Sequence, residues 1–226
     1  MNPKIKKNRA FELIILIAIS IAAILLWDTF AVYPVKLLVV LFHEISHGFA
    51  AILSGGEAIS LEIGADLSGE CLISEGNPFL IASSGYLGSF IAGVILFYSA
   101  YNSRFRNFAL SFLAAILILF TINKGTGQIL PVLTALLVLI LFFIIKFSPD
   151  IFSNYLLKSV GLISCLYVVV DIKEDIFSDS SSLSDAAILS GLTGIDSTVW
   201  GIIWLAICFV GIYLLFTYAF KTGSTK

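Results

Sequence analysis

A polytopic all-α membrane protein, with about seven transmembrane helices and one short β-hairpin, is the fold class this sequence predicts. Three observations carry that reading. Hydrophobic residues make up 59% of the 226 and charged residues 12%, with a mean hydropathy of +1.03, which excludes an ordinary soluble domain. The apolar residues gather into runs long enough to cross a hydrocarbon layer, which takes about 20 residues of helix each. Glycine, proline and serine clusters separate those runs, and the stretch 57–77 between two of them carries the alternation of a strand.

The first run, 11–27, follows Lys4, Lys6, Lys7 and Arg9 directly. Leu25-Leu26-Trp27-Asp28 offers no small-residue cleavage site, so the run reads as a retained span with its basic end in the cytoplasm. A second span, 33–53, starts at Pro34, where the missing N–H of a first-turn proline does no harm, and stops at Ser54-Gly55-Gly56. In the next stretch Ile59, Leu61 and Ile63 alternate with Ser60 and Glu62, and Leu72 and Ile73 follow Asp66-Leu67-Ser68-Gly69, a pattern that fits a short hairpin and equally an ordinary polar loop. Span 78–101 opens on Ala82-Ser83-Ser84-Gly85-Tyr86-Leu87-Gly88-Ser89, whose small residues let another helix approach closely.

Arg104 and Arg106 then read as a short loop, which under a cytoplasmic start lies on the side that basic residues usually avoid. Spans 108–122, 128–145 and 155–171 follow, and the last runs into Asp171-Ile172-Lys173-Glu174-Asp175. Ser178 to Ser182 is a polar loop, Ser184-Asp185 caps a short helix over 186–192, and 199–220 is the final span. The chain reads as a single integral-membrane unit over 1–226, multi-pass, in the cell membrane if the source is prokaryotic. A net charge of −2, with neither basic nor acidic blocks dominant, speaks against nucleic acid as a partner. Cys71, Cys165 and Cys208 are too scattered for a disulfide framework or a thiolate zinc site.

The chemistry is concentrated in Phe42-His43-Glu44-Ile45-Ser46-His47-Gly48, inside the second span. These are the only two histidines of the chain, and ionisable side chains in an apolar span need a partner that offsets their desolvation. On a helix His43 and His47 lie one turn apart on one face and can both reach one Zn2+ ion, while Glu44 can take a proton from a water that the ion has acidified. Catalytic zinc takes three protein ligands and leaves a fourth position open, and without a third histidine the third must be a carboxylate. The histidine span and span 155–171 run in the same direction, because three spans lie between them. Asp171 therefore reaches the same face as the histidines, and Asp175, one turn on, is the runner-up.

Phe42-His43-Glu44-Ile45-Ser46-His47-Gly48, followed by Ala50, Ala51 and Gly55-Gly56, resembles the first motif of the site-two protease group of intramembrane zinc metalloproteases. Asp171-Ile172-Lys173-Glu174-Asp175 with Ser184-Asp185-Ala186 and Trp200-Gly201-Ile202-Ile203-Trp204 is similar to the small branch of site-two-protease-like peptidases. The resemblance implies a zinc-dependent peptidase with His43 and His47 as ligands, Glu44 as general base and an aspartate of the later motif as third ligand. Better-known members carry that aspartate in an Asp-Gly turn, whereas no glycine follows Asp171, Asp175 or Asp185, so the choice among them stays open. The expected substrate is a membrane protein or peptide, met within or beside the bilayer. The alternative is a zinc-binding scaffold or chaperone for partner helices that cleaves nothing. A zinc transporter would want more intramembrane ligands along a path.

Overall fold

The computed structural model describes residues 3–27, 29–177 and 184–222. Among these described residues eight helices and one hairpin follow in the order α1 (Pro3–Leu25), α2 (Tyr33–Leu53), β1 (Glu57–Ile63), β2 (Gly69–Ser74), α3 (Pro78–Ser99), α4 (Ser103–Lys124), α5 (Ile129–Phe147), α6 (Asp150–Phe177), α7 (Asp185–Thr193) and α8 (Ser197–Thr222). Six of these, α2, α3, α4, α5, α6 and α8, are long and apolar enough to cross a membrane, and 10–25 of α1 forms a shorter apolar helix. The protein is an integral multi-pass membrane protein, and the expected architecture of about seven membrane helices plus a hairpin holds.

Local chemistry explains the boundaries. Asn77 caps α3 by accepting from the N–H groups of Phe79 and Leu80, and Pro78 occupies the first turn. Asn102 does the same for α4 through Arg104 and Phe105, which starts that helix five residues before the apolar run at 108. The two arginines read as loop therefore lie in the first turn of α4. Arg106 is buried there and pairs with Asp150 and Asn154 of α6, so its charge is offset by protein contacts instead of by water.

At the centre, α3 packs against α2 on one side and α6 on the other. Hydrophobic exclusion drives little of this within a bilayer, so close backbone approach and interhelical hydrogen bonds matter more. A Cβ on Gly93 of α3 would lie 2.7 Å from the Gly161 carbonyl of α6, a contact that only glycine permits. Beside it Ser164 donates to the Ser89 carbonyl at 3.0 Å. The small-residue face of α3, expected to let another helix approach closely, meets the histidine helix, with Gly85 against His43 and Gly88 against Ser46. Helix α1 packs against α6, joined at Lys158–Glu12 (2.5 Å, buried), and just past its end Trp27 stacks on Tyr167 at 4.2 Å. Large apolar side chains such as Phe112, Leu136 and Phe209 point outward, as lipid-facing positions should.

The hairpin pairs antiparallel from Glu57↔Ser74 to Ile63↔Gly69. Leu61 and Ile63 face inward as the alternation predicts, but an irregularity between Ala58 and Ser60 turns Ile59 out and buries Ala58 in its place. The outer edge of β1 is covered: Thr126 donates its N–H to the Leu61 carbonyl at 2.8 Å, and Lys124 meets Glu57 at 2.7 Å. That lysine holds the Glu57 carboxyl below its ordinary range. Around the turn the Ser68 hydroxyl and N–H hold the Asp66 carboxyl low as well.

Candidate metal centre

Three buried or half-buried donors, His43 and His47 on α2 and Asp185 at the start of α7, bring one ligand atom each within 4.8 Å of one another. The helical spacing sets the first two, whose rings stand 4.7 Å apart and nearly perpendicular. The third arrives because Ser184 caps α7 by accepting from the Ala187 N–H, which fixes Asp185 in the first turn over the histidine face. Asp185 Oδ2 lies 3.3 Å from His43 Nε2 and 3.4 Å from His47 Nε2. Helix α3 closes the site from behind. A Cβ on Gly85 would fall on the His43 ring and on Asp185 Oδ2, so the glycine is what lets the two side chains meet.

The donor atoms themselves show what this cluster fits. His47 Nδ1 lies 2.8 Å from the Ile81 carbonyl oxygen, which can only accept, so Nδ1 carries the hydrogen. In a neutral ring Nε2 then presents a lone pair to the carboxylate of Asp185. Two acceptors 3.4 Å apart repel unless positive charge lies between them. Asp185 Oδ2 is indeed buried without a hydrogen-bond partner. Two imidazole nitrogens and one carboxylate oxygen are also the donor types that divalent zinc takes in open, catalytic sites. These residues fit a metal ion.

Glu44 is buried one residue from His43 and lines the same cavity of about 660 Å3. The hairpin forms the opposite wall with Gly69, Glu70, Cys71 and Ile73. Gly69 comes so close that a Cβ there would lie 2.7 Å from Glu44 Oε1. Burial, and then the Glu44 carboxylate, push the Cys71 thiol up to about 12.

Asp171 lies on α6 at the cavity wall, with Oδ2 3.8 Å from His43 Nδ1 and Oδ1 accepting from the Tyr167 hydroxyl at 3.2 Å. It thus faces the ring edge of His43 that points away from the three-donor cluster. Asp175 belongs to α6, and its side chain lies outside the described residues. A model of the family described as Peptidase M50B-like matches residues 16–215. The chain belongs to that family. No curated protein and no solved structure matches it. For this M50B-like chain the sequence reading did not single out Gly85 and Gly69 as site residues; it placed the third ligand at Asp171 with Asp175 as runner-up, and held Asp185 as a cap and as one of the later motif's aspartates among which the choice stayed open. The available signal was an acidic residue opening a short helix that is otherwise almost wholly apolar, Ala186-Ala187-Ile188-Leu189.

Proposed function

We propose that the protein is an intramembrane zinc metallopeptidase that hydrolyses peptide bonds of membrane-associated substrates. His43, His47 and Asp185 hold the ion in this reading, with Asp185 taking the part that sequence reasoning gave to Asp171. The observation that carries it is the meeting of two histidine Nε2 atoms with one unpartnered carboxylate oxygen, in a cavity that also holds Glu44. A bound zinc ion supplies Lewis acidity, polarising the scissile carbonyl and lowering the pKa of water towards about 7.

Glu44 accepts a proton from the attacking water and returns it to the amide nitrogen as the C–N bond breaks. His47 is kept in the Nδ1–H form by the Ile81 carbonyl, with Nε2 free as a donor. The hairpin supports substrate binding: β1 is covered by β2 on one edge and by Thr126 on the other, whereas β2 lines the cavity. A helix must unwind to offer its carbonyl, and an extended segment can lie along the cavity-facing edge of β2 by strand addition.

The test is Glu44→Gln in the full chain, reconstituted in liposomes with a panel of single-span reporter helices. The expected outcome is one zinc per chain in both proteins and cleavage only by the parent. Cleavage by the variant at the parent's rate would refute the role of Glu44. Zinc uptake with no cleavage of any reporter by the parent would favour the scaffold.

A further inference from the structure

We propose that Asp171 is a positioning residue that orients His43 from behind through its Nδ1–H. The proposal rests on the metal reading above. A histidine ligand almost always donates its second ring N–H to an outer acceptor, which fixes the tautomer and the ring plane. His47 has such an acceptor in the Ile81 carbonyl. His43 needs one too, and its Nδ1 is buried without a hydrogen-bond partner. The oxygen that faces it is Asp171 Oδ2, at 3.8 Å.

The carboxylate is itself held. Tyr167, one turn earlier on α6, donates its hydroxyl to Oδ1 at 3.2 Å, and Oδ2 faces His43. The Tyr167 ring is buried and stacked on Trp27 at 4.2 Å, so the row Trp27, Tyr167, Asp171, His43 runs from the end of α1 to the metal centre. The same geometry argues against Asp171 as a ligand. The two nitrogens of one imidazole aim their lone pairs or hydrogens in diverging directions, and His43 turns Nε2 towards Asp185 and Nδ1 towards Asp171. A carboxylate on the Nδ1 side lies across the ring from any ion that Nε2 holds. When Nε2 donates to a cation, the Nδ1–H becomes more acidic and its attraction to Asp171 stronger, which draws the 3.8 Å separation towards hydrogen-bond length.

The experiment is Co2+ titration of the metal-free, detergent-solubilised full chain, followed by the visible absorption of the bound ion. Parent, Asp171→Ala, Asp171→Asn, Tyr167→Phe and Asp185→Asn are compared, with the thermal midpoint of each metal-free protein measured alongside. Asp171→Ala is expected to keep one Co2+ per chain and the parent's spectrum but to bind about 10- to 100-fold more weakly, the range for lost outer partners of a metal-bound histidine. Asp171→Asn, which keeps an acceptor oxygen, and Tyr167→Phe, which only loosens the carboxylate, should fall between it and the parent. Asp185→Asn should change the spectrum or lose the ion. Loss of stoichiometry or an altered spectrum in Asp171→Ala overturns the proposal by making Asp171 a ligand. Unchanged affinity in both Asp171→Ala and Tyr167→Phe overturns it by leaving Asp171 without a role. A parent that takes up no Co2+ fails differently, because it refutes the metal reading on which the proposal stands.

Discussion

Gly85→Ala adds one methyl group at a residue that is not itself a donor, and it should weaken zinc binding at the proposed site rather than unfold the protein. The added Cβ would lie 2.7 Å from Asp185 Oδ2, where ordinary contact begins at 3.4 Å, so the carboxylate must withdraw by about 0.7 Å. The clash with the His43 ring is closer still. Metal–ligand distances tolerate only about 0.2 Å, so the displaced donors cannot bind as before. Either α2 and α7 move back when the ion binds, at the 1–3 kcal/mol typical of overpacking, or one donor is lost. The first case alone lowers metal affinity about 5- to 150-fold. Helix propensity acts the other way, since alanine is favoured over glycine in a helix by up to about 1 kcal/mol, so the metal-free variant should melt no more than a few degrees below the parent. The assay is competition of zinc between the protein and a chromophoric chelator, with thermal denaturation of the metal-free form beside it. Zinc affinity equal to the parent's would refute the placement of the ion among His43, His47 and Asp185.

Gly69→Ala brings a Cβ to 2.7 Å from Glu44 Oε1 on the other side of the cavity; zinc stoichiometry should stay at the parent's value while kcat of reporter cleavage falls at least tenfold. Lys158→Leu strands the Glu12 carboxylate in the buried contact between α1 and α6 and should cost about 3–5 kcal/mol in detergent unfolding, whereas Glu12→Leu with Lys158→Leu should recover most of it. Cys71, pushed up to about 12 by burial and by Glu44, stays protonated at neutral pH. Maleimide at pH 8 should therefore label it about 100- to 1,000-fold more slowly than an open thiol, faster in Glu44→Gln, and with a steep rise only as pH climbs towards that value.

Those parts of the fold that depend on neighbours in sequence were legible. Pro34, Asn77-Pro78 and Ser184 are local signals, and the structure starts helices at each of them. The alternation of the hairpin was legible for the same reason, although the same stretch also reads as an ordinary polar loop. Arg106 was not, because the reason a charge can sit in a membrane helix is Asp150, 44 residues on, and no local pattern shows that pair. Among the site residues, the one-turn spacing of His43 and His47 is a property of one helix. The convergence of Asp185 depends on where α7 comes to rest after α6, which is a matter of three-dimensional packing. Counting crossings brought Asp171 to the correct end of α6, and its side chain does meet His43 there. What counting could not supply is which edge of the imidazole it would meet.

The charge of the cavity weighs the enzyme against the scaffold. Among its described lining residues are five carboxylates, Glu44, Glu70, Glu75, Asp171 and Asp185, and no lysine or arginine. Glu70 and Glu75 are exposed, so water can solvate them, but Glu44 and Asp185 are buried. Buried carboxylates without cations must either take up protons or gain a positive ion, since leaving them charged and alone costs several kcal/mol each. A divalent ion at the two histidines offsets Asp185 directly and lowers the cost of a charged Glu44 beside it. A structural zinc site would be closed by a fourth protein ligand packed onto the ion. Here the fourth side is a cavity of about 660 Å3 walled by an edge strand, with the Glu44 carboxylate in its lining. Such an opening weakens a site whose task is to hold helices together, and it is required in one that must admit both a carbonyl and a water.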